Sequence, residues 1–255
     1  MDTKKEKLEN FKVAISSTVK SLSNSPKIEV SFGNQISKND QKKVKLPDLN
    51  SLNNKLNYEE VRAVADSKSL MVRFSDEKIF KNYEPKGNIS KRLYKISEKI
   101  RCEKIGSSYF KGVKNNIEKF YKQRISELDL KNSEDKIVES FENFLRIKFL
   151  DFQNEKKIEK KLKSFKKDIS DQFKDKIGEL KELTIDQDRF NSVISQLISN
   201  MSLDENFDDE KKREEEKDND DKQSKPQNNQ QKTKEQEEKN EEMSIESGVP
   251  DLENE

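Results

Sequence analysis

Few side chains in this sequence are suited to catalysis or metal binding. The 255 residues include no histidine and one cysteine, Cys102. Imidazole is the commonest general base and metal ligand, and one thiol alone does not make a zinc site. The place of Cys102 in a helical pattern favours a small buried side chain over a reactive thiol, and a lone cysteine forms no internal disulfide, as in a reducing cytosol. We therefore expect no catalytic residue, no bound cofactor and no metal site in this chain.

Two stretches have the residue types of a cation site without its pattern. Asp66-Ser67-Lys68-Ser69 superficially resembles a metal-ion-dependent adhesion motif, D-x-S-x-S, but lysine stands at position 68. That motif also follows a strand, whereas this stretch is predicted to lie in the middle of a helix. The acidic run 208–216 lacks the glycine turn that orders a calcium loop, which favours a solvated run. The sequence also has no G-x-x-x-x-G-K-[ST], no G-x-G-x-x-G and no H-E-x-x-H motif.

The stretch expected to organise the chain is residues 88–128. Apolar residues recur there at helical spacing before Gly106 and after Gly112, which predicts two amphipathic helices joined at a turn between the glycines. Glycine suits such a turn because it adopts positive φ and lets two helices approach closely. In the first helix, Arg101 and Glu103 are two positions apart and do not face each other. Either each pairs with a neighbouring helix, or Arg101 contacts a partner subunit.

Periodicity predicts the remaining elements. Alternation in Ile28–Phe32, followed by a turn, predicts a strand that pairs with Lys43–Leu46 as a short β-hairpin lying on the helices. The narrow apolar seam of 158–180 is typical of an antiparallel helical hairpin or coiled coil. The predicted helices are 8–22; 61–81, with Asn57 and Glu60 as a capping box; the pair in 88–128, with Asn88 capping the first; 132–149; 158–180; and a last helix to Met201, with Thr184 and Gln187 as a capping box.

The predicted fold is therefore mainly α: a multi-helix bundle over residues 1–203, with a small β-ribbon at about 28–46 near the N-terminus. Residues 204–255 carry 20 acidic and 9 basic side chains and lose periodicity, which predicts a disordered acidic tail. Within it, 243–245 and 249–250 are small apolar islands: either plain tail or a docking segment that orders on a partner. With no signal segment and no run of about 20 apolar residues, we expect a soluble cytoplasmic protein without a membrane partner.

The charge distribution leaves two function classes open. The tail has a net charge of −11 and the remainder +12. A basic body attracts nucleic acid in some proteins, so one hypothesis is a helical protein- or nucleic-acid-interaction module with an acidic self-shielding tail. The lysines are spread over every predicted helix and no arginine cluster interleaves with aromatics. This pattern favours a solvated helix surface and makes nucleic acid an unlikely partner.

A second hypothesis comes from a family resemblance. Arg101-Cys102-Glu103-Lys104-Ile105-Gly106, followed by Gly112-Val113 and Asn116, resembles the R-V-E-A-I-G and G-V-x-x-N stretches of the CobT-type subunit of aerobic, ATP-dependent cobaltochelatase. Arg101, Glu103, Gly106, Gly112 and Asn116 are thus candidates for a partner-contact or structural motif. Other similar stretches follow in the family's order: Phe32-Gly33, Leu46-Pro47, Val64-Ala65-Asp66 and Asp186-Gln187-Asp188-Arg189-Phe190.

The resemblance implies a non-catalytic adaptor subunit. In the family, the complex inserts cobalt into hydrogenobyrinic acid a,c-diamide during cobalamin biosynthesis, as a ligase that forms metal–nitrogen bonds. A CobS-type AAA+ subunit hydrolyses ATP with magnesium, and a CobN-type large subunit holds the ring and the cobalt. The CobT type assembles with itself and with the ATPase, and it ends in a von Willebrand A domain. The sequence stops at Glu255, where the acidic linker would lead into that domain.

Overall fold

Helices dominate the structure because apolar residues recur three and four positions apart along most of the chain. The structure, a computed structural model, describes residues 2–33, 43–49, 58–127, 133–152, 173, 175–201 and 203. The helices among them are α1 Asp2–Leu22, α2 Tyr58–Phe74, α3 Glu77–Asn82, α4 Asn88–Tyr109, α5 Lys111–Glu127, α6 Ser133–Leu150, α7 Ile177–Glu182 and α8 Gln187–Ser199. The predicted mainly helical fold is confirmed.

Two apolar cores lie within the described residues. The larger core collects side chains from α4, α5, α6 and α8 together with Leu70 of α2. The smaller core joins α1, α2 and the two strands through residues such as Ile15, Phe32, Val44 and Val61. Helix α2 contributes to both cores, so it connects the N-terminal part of the chain to the larger bundle.

The two strands pair in parallel, so the predicted β-hairpin is wrong. β1, Glu29–Phe32, and β2, Lys43–Leu46, run in the same direction, with Glu29 opposite Lys43. The predicted partners are therefore correct and their relative direction is not. A two-residue turn suffices for a hairpin, whereas parallel strands need a longer connection, and ten residues, 33–42, separate these two strands.

The predicted long helix over 61–81 is two helices. α2 ends at Phe74, and the side chain of Asp76 then caps α3 by accepting from Lys78 N–H at 2.8 Å and from Ile79 N–H at 3.2 Å. Aspartate at an N-cap satisfies backbone donors that have no intrahelical partner. The single apolar pattern did not distinguish a break of two residues from a continuous helix. The proposed cap at Asn57 lies outside the described residues.

The turn predicted between Gly106 and Gly112 is shorter than expected. Helix α4 continues through Gly106 to Tyr109, only Phe110 interrupts the helices, and α5 begins at Lys111. Asn88 is the first residue of α4 and Gly87 is its N-cap, so the predicted cap at Asn88 is wrong.

One further prediction is wrong, and the others lie mostly outside the described residues. The Thr184 capping box is wrong: Asp186 caps α8 by accepting from Arg189 N–H at 3.1 Å, while the Thr184 hydroxyl donates to Lys181 O at 2.6 Å. Most of the 158–180 seam lies outside the described residues. So do the acidic tail and its islands.

Candidate functional site

Helix α4 directs Arg101 and Glu103 to different neighbours, as their spacing requires. Arg101 is 1% exposed. Its guanidinium donates to the Glu98 carboxylate through Nε at 2.8 Å and Nη2 at 2.7 Å. It also donates to the carbonyl of Thr184 at 2.9 Å and to that of Phe74. One buried side chain therefore links α4 to the end of α2 and to the loop before α8.

Glu103 lies at the centre of a second set of contacts. It is fully buried and accepts from the Ser67 hydroxyl of α2 and from Arg146 Nη1 of α6, at 2.5 Å each. The carboxylate thus joins three helices. Ser67 belongs to the stretch that resembled an adhesion motif; as predicted, it lies in mid-helix.

The Glu103–Arg146 pair continues into a chain of alternating charges along α5 and α6. Arg146 donates to Glu142 through Nε at 2.9 Å and Nη2 at 2.7 Å. Arg124 of α5 donates to Glu142 at 3.0 Å and, through both terminal nitrogens, to Glu139 at 2.8 Å. Bidentate arginine–carboxylate pairs are strong and directional. These five side chains therefore fix α4, α5 and α6 against one another; we call them the charge ladder.

The pKa values follow from this arrangement. Burial acts to raise the pKa of Glu142, but the nearby cations of Lys99, Arg146 and Arg124 outweigh it and lower that pKa well below the usual range. Burial raises the pKa of Glu139, and Arg124 opposes that rise only in part. Of these two carboxylates, Glu142 is therefore the one that its surroundings hold ionised.

Asn116, which is half-buried, and the buried Asp66 form a separate tie between α5 and α2. Asn116 Nδ2 donates to Asp66 Oδ2 at 2.8 Å. Burial raises the pKa of Asp66, and the hydrogen bond from Asn116 opposes that rise. Asn116 thus takes part in the same helix bundle as Glu103, through a different contact.

The two glycines have different surroundings. A Cβ atom at Gly106 would lie 2.3 Å from Cδ2 of Leu70, so α2 and α4 approach closely because residue 106 has no side chain. A Cβ at Gly112 would meet nothing within 4 Å. The close approach at Gly106 is therefore between α2 and α4, and not between the two helices that the sequence predicted to meet at the turn, α4 and α5.

An exposed aromatic cluster lies at the corner between α4 and α5. Tyr109 is 68% exposed and stacks on Phe74 with ring centroids 6.5 Å apart. The guanidinium of Arg73 lies 5.3 Å from the Phe74 centroid and 5.9 Å from that of Phe110. Aromatic residues and arginine are enriched in the cores of protein–protein interfaces. Arg73, Phe74, Tyr109 and Phe110 are called the aromatic corner below.

Comparison with known protein families assigns the chain to a family. The family model described as cobalamin biosynthesis protein CobT matches residues 5–254. The chain belongs to the CobT family. Membership assigns this CobT-family chain a role in cobalamin biosynthesis. No solved structure gives a significant match.

In this CobT-family chain the five motif residues have distinct positions. Glu103 and Asn116 each tie a helix to α2, and Gly106 allows α2 to approach; Arg101 lies on another face of α4, and Gly112 is exposed in the first turn of α5. Arg101 has its hydrogen bonds inside the chain. This geometry favours a structural role for the motif residues over direct contact with a partner.

Sequence reasoning missed most of the charge ladder. Its unpredicted members are Arg124, Glu139, Glu142 and Arg146, and the Glu98 partner of Arg101 was missed as well. A signal existed: Glu142 and Arg146 are four positions apart among Phe141, Phe144 and Leu145. An amphipathic helix with so many large apolar residues has little face left for solvated charges, which could have indicated buried ion pairs.

The described residues also bear on two broader questions. None of the helices that the structure describes is long and apolar enough to cross a membrane. Burial raises the pKa of the Cys102 thiol far above its ordinary value, with Glu98 adding to the shift. A thiol held protonated is a poor nucleophile, in keeping with the predicted role of Cys102 as a buried side chain.

Proposed function

We propose that this chain is the non-catalytic adaptor subunit of an ATP-dependent cobaltochelatase. In this proposal, the complex inserts cobalt into hydrogenobyrinic acid a,c-diamide. ATP, magnesium and cobalt are used by the complex, and this chain holds no cofactor of its own. Its partners are a CobS-type AAA+ ATPase, a CobN-type large subunit and further copies of itself.

The observation that carries the adaptor role is the contrast between the buried motif and the exposed aromatic corner. Arg101 and Glu103 have charged partners inside the chain, whereas Tyr109 and Phe110 present aromatic surface to solvent on the same helix and its adjoining turn. A rigid bundle that exposes aromatics beside an arginine is suited to binding another protein. We assign the aromatic corner to contact with the ATPase.

The test is co-elution of the purified chain with a CobS-type ATPase on a sizing column, with and without ATP, at low and moderate salt. We expect a nucleotide-dependent complex that survives moderate salt, because aromatic contacts are not screened by ions. The chain alone should hydrolyse no ATP and should not metallate the corrin. Absence of a complex at both salt concentrations, or turnover by the lone chain, would contradict the proposal.

A further inference from the structure

Within the part of the chain that the structure describes, no strand pairs with the outer edge of β1. Gly33 N–H donates to Leu46 O at 2.9 Å, across the parallel pairing of the two strands. In a strand, successive backbone groups alternate between the two sides, so Glu29, Ser31 and Gly33 face β2. The N–H and C=O groups of Val30 and Phe32 point away from β2, and no other described strand lies beside them.

The other outer edge of the sheet is different. Lys68 of α2 donates from Nζ to Lys45 O at 2.6 Å, so a side chain already occupies that edge of β2. An unpaired edge is a template for another strand, and a sheet of two strands is marginal by itself. The edge of β1 is therefore the place where this sheet has room for a third strand.

We propose that residues 243–249 of this chain pair with the open edge of β1. Met243-Ser244-Ile245-Glu246 alternates apolar and polar residues, as Glu29–Phe32 does in β1 itself. The side chain of Phe32 is buried and that of Val30 packs on the smaller core. A neighbouring strand with the same alternation places Met243 and Ile245 on that apolar face and leaves its polar residues in water.

Charge and chain length both favour this occupant. Glu241, Glu242 and Glu246 in and before the segment are opposite in sign to Lys27, Lys43 and Lys45 in and beside the two strands, which outnumber the one acidic residue of β1, Glu29. The 39 residues between Leu203 and the segment can span more than about 100 Å, since an extended chain covers about 3.3 Å per residue. A domain of about 200 residues has a diameter of about 40 Å, so the tether reaches across it. Pairing of this kind brings the end of the acidic tail, residues 204–255, back to the basic remainder of the chain.

The test is hydrogen–deuterium exchange of the Val30 and Phe32 amides in the full chain. We expect both amides to be protected, and Ser244→Pro to reduce their protection at least tenfold, because proline donates no hydrogen bond and disrupts strand pairing. Ser224→Pro, which makes the same change in the polar part of the tail, is the matched control and should leave both amides unchanged. Amides within α4 should keep their protection in both variants.

Two results would overturn this proposal. One is equal protection of Val30 and Phe32 in the wild type and in Ser244→Pro. The other is protection that rises with protein concentration, because that would mean that the added strand comes from a second copy rather than from the same chain.

Discussion

The two apolar cores of the described residues lie beside different polar contacts. The larger core shares α4, α5 and α6 with the charge ladder of Glu103, Arg146, Glu142, Arg124 and Glu139. Beside the smaller core, between α1, α2 and the strands, Lys68 donates to the carbonyl of Lys45. Apolar burial stabilises without specifying direction, whereas a buried ion pair is favourable only in a narrow range of geometries.

The difference indicates where this CobT-family chain needs a fixed shape. The ladder orders α4, α5 and α6, and the aromatic corner lies at the junction of two of these helices. We infer that the buried charges hold the corner in one geometry. Variants of the charge ladder and of the packed helices should therefore differ in stability from matched variants at exposed or open positions.

The largest effect is expected from Arg146→Leu. This substitution leaves Glu103 buried without its arginine partner and removes one of the cations beside Glu142, and breaking a buried pair on one side costs about 3–5 kcal/mol of unfolding free energy. The matched control is Arg92→Leu, which removes an exposed pair with Asp135 and should cost at most about 1 kcal/mol. Urea unfolding of the wild type and the two variants measures the loss of unfolding free energy in each. Equal losses for the two variants would show that the charge ladder stabilises the protein no more than an exposed ion pair does.

Gly106→Ala should have the next largest effect. The new methyl group meets Leu70 of α2, and overpacking of this kind costs about 1–3 kcal/mol. Gly112→Ala adds a methyl group in open space and should stabilise α5 by up to about 1 kcal/mol. Thermal unfolding should therefore shift in opposite directions for the two variants. A shared direction would contradict the close approach of α2 and α4.

The smallest effect is a change in the pH dependence of stability. The pKa of Glu142 is lowered from its ordinary value of 4.5, so the unfolded state binds the proton more readily. Its contribution is present above about pH 4.5 and is lost as the pH falls, by up to about 1.4 kcal/mol per pH unit. Glu142→Gln should therefore flatten the acid side of the stability curve.

Glu139→Gln is the matched control for this pH effect. Because the pKa of Glu139 is raised, its ionisation in the folded state opposes folding above the unfolded pKa, and protonation removes that cost as the pH falls. Removing this titration should make the acid-side loss steeper. Unfolding free energies between about pH 3 and pH 6 test the two slopes, and identical slopes would contradict the assigned pKa directions.

Local pattern predicted the elements better than their connections. The helices of 8–22 and 132–149 and the strand near 28–32 agree with α1, α6 and β1, because their apolar spacing depends on neighbours in sequence. The parallel direction of the strands depends on how the two strands pair, which the periodicity of neither strand encodes. The break before α3 depends on one capping side chain, Asp76.

The sequence predicted which residues belong to the motif but not the contacts that they make. The resemblance selected Glu103 and Asn116, yet their partners Ser67, Arg146 and Asp66 are 30 or more positions away in sequence. Charged residues on a helix are usually solvated, and the sequence alone does not show which ones the neighbouring helices cover. The aromatic corner was missed for a related reason, since Phe74, Tyr109 and Phe110 look like core residues until the packing is known.

The most direct test of the adaptor role is titration of a CobS-type ATPase, with ATP present, against the wild type and against Tyr109→Ala. Val13→Ala is the matched control, because Val13 is 66% exposed and lies on α1, which contributes no residue to the aromatic corner. We expect Tyr109→Ala to weaken binding by about tenfold or more with an unchanged unfolding midpoint, and Val13→Ala to bind as the wild type does. Equal affinity for all three proteins would contradict the assignment of the aromatic corner to the ATPase.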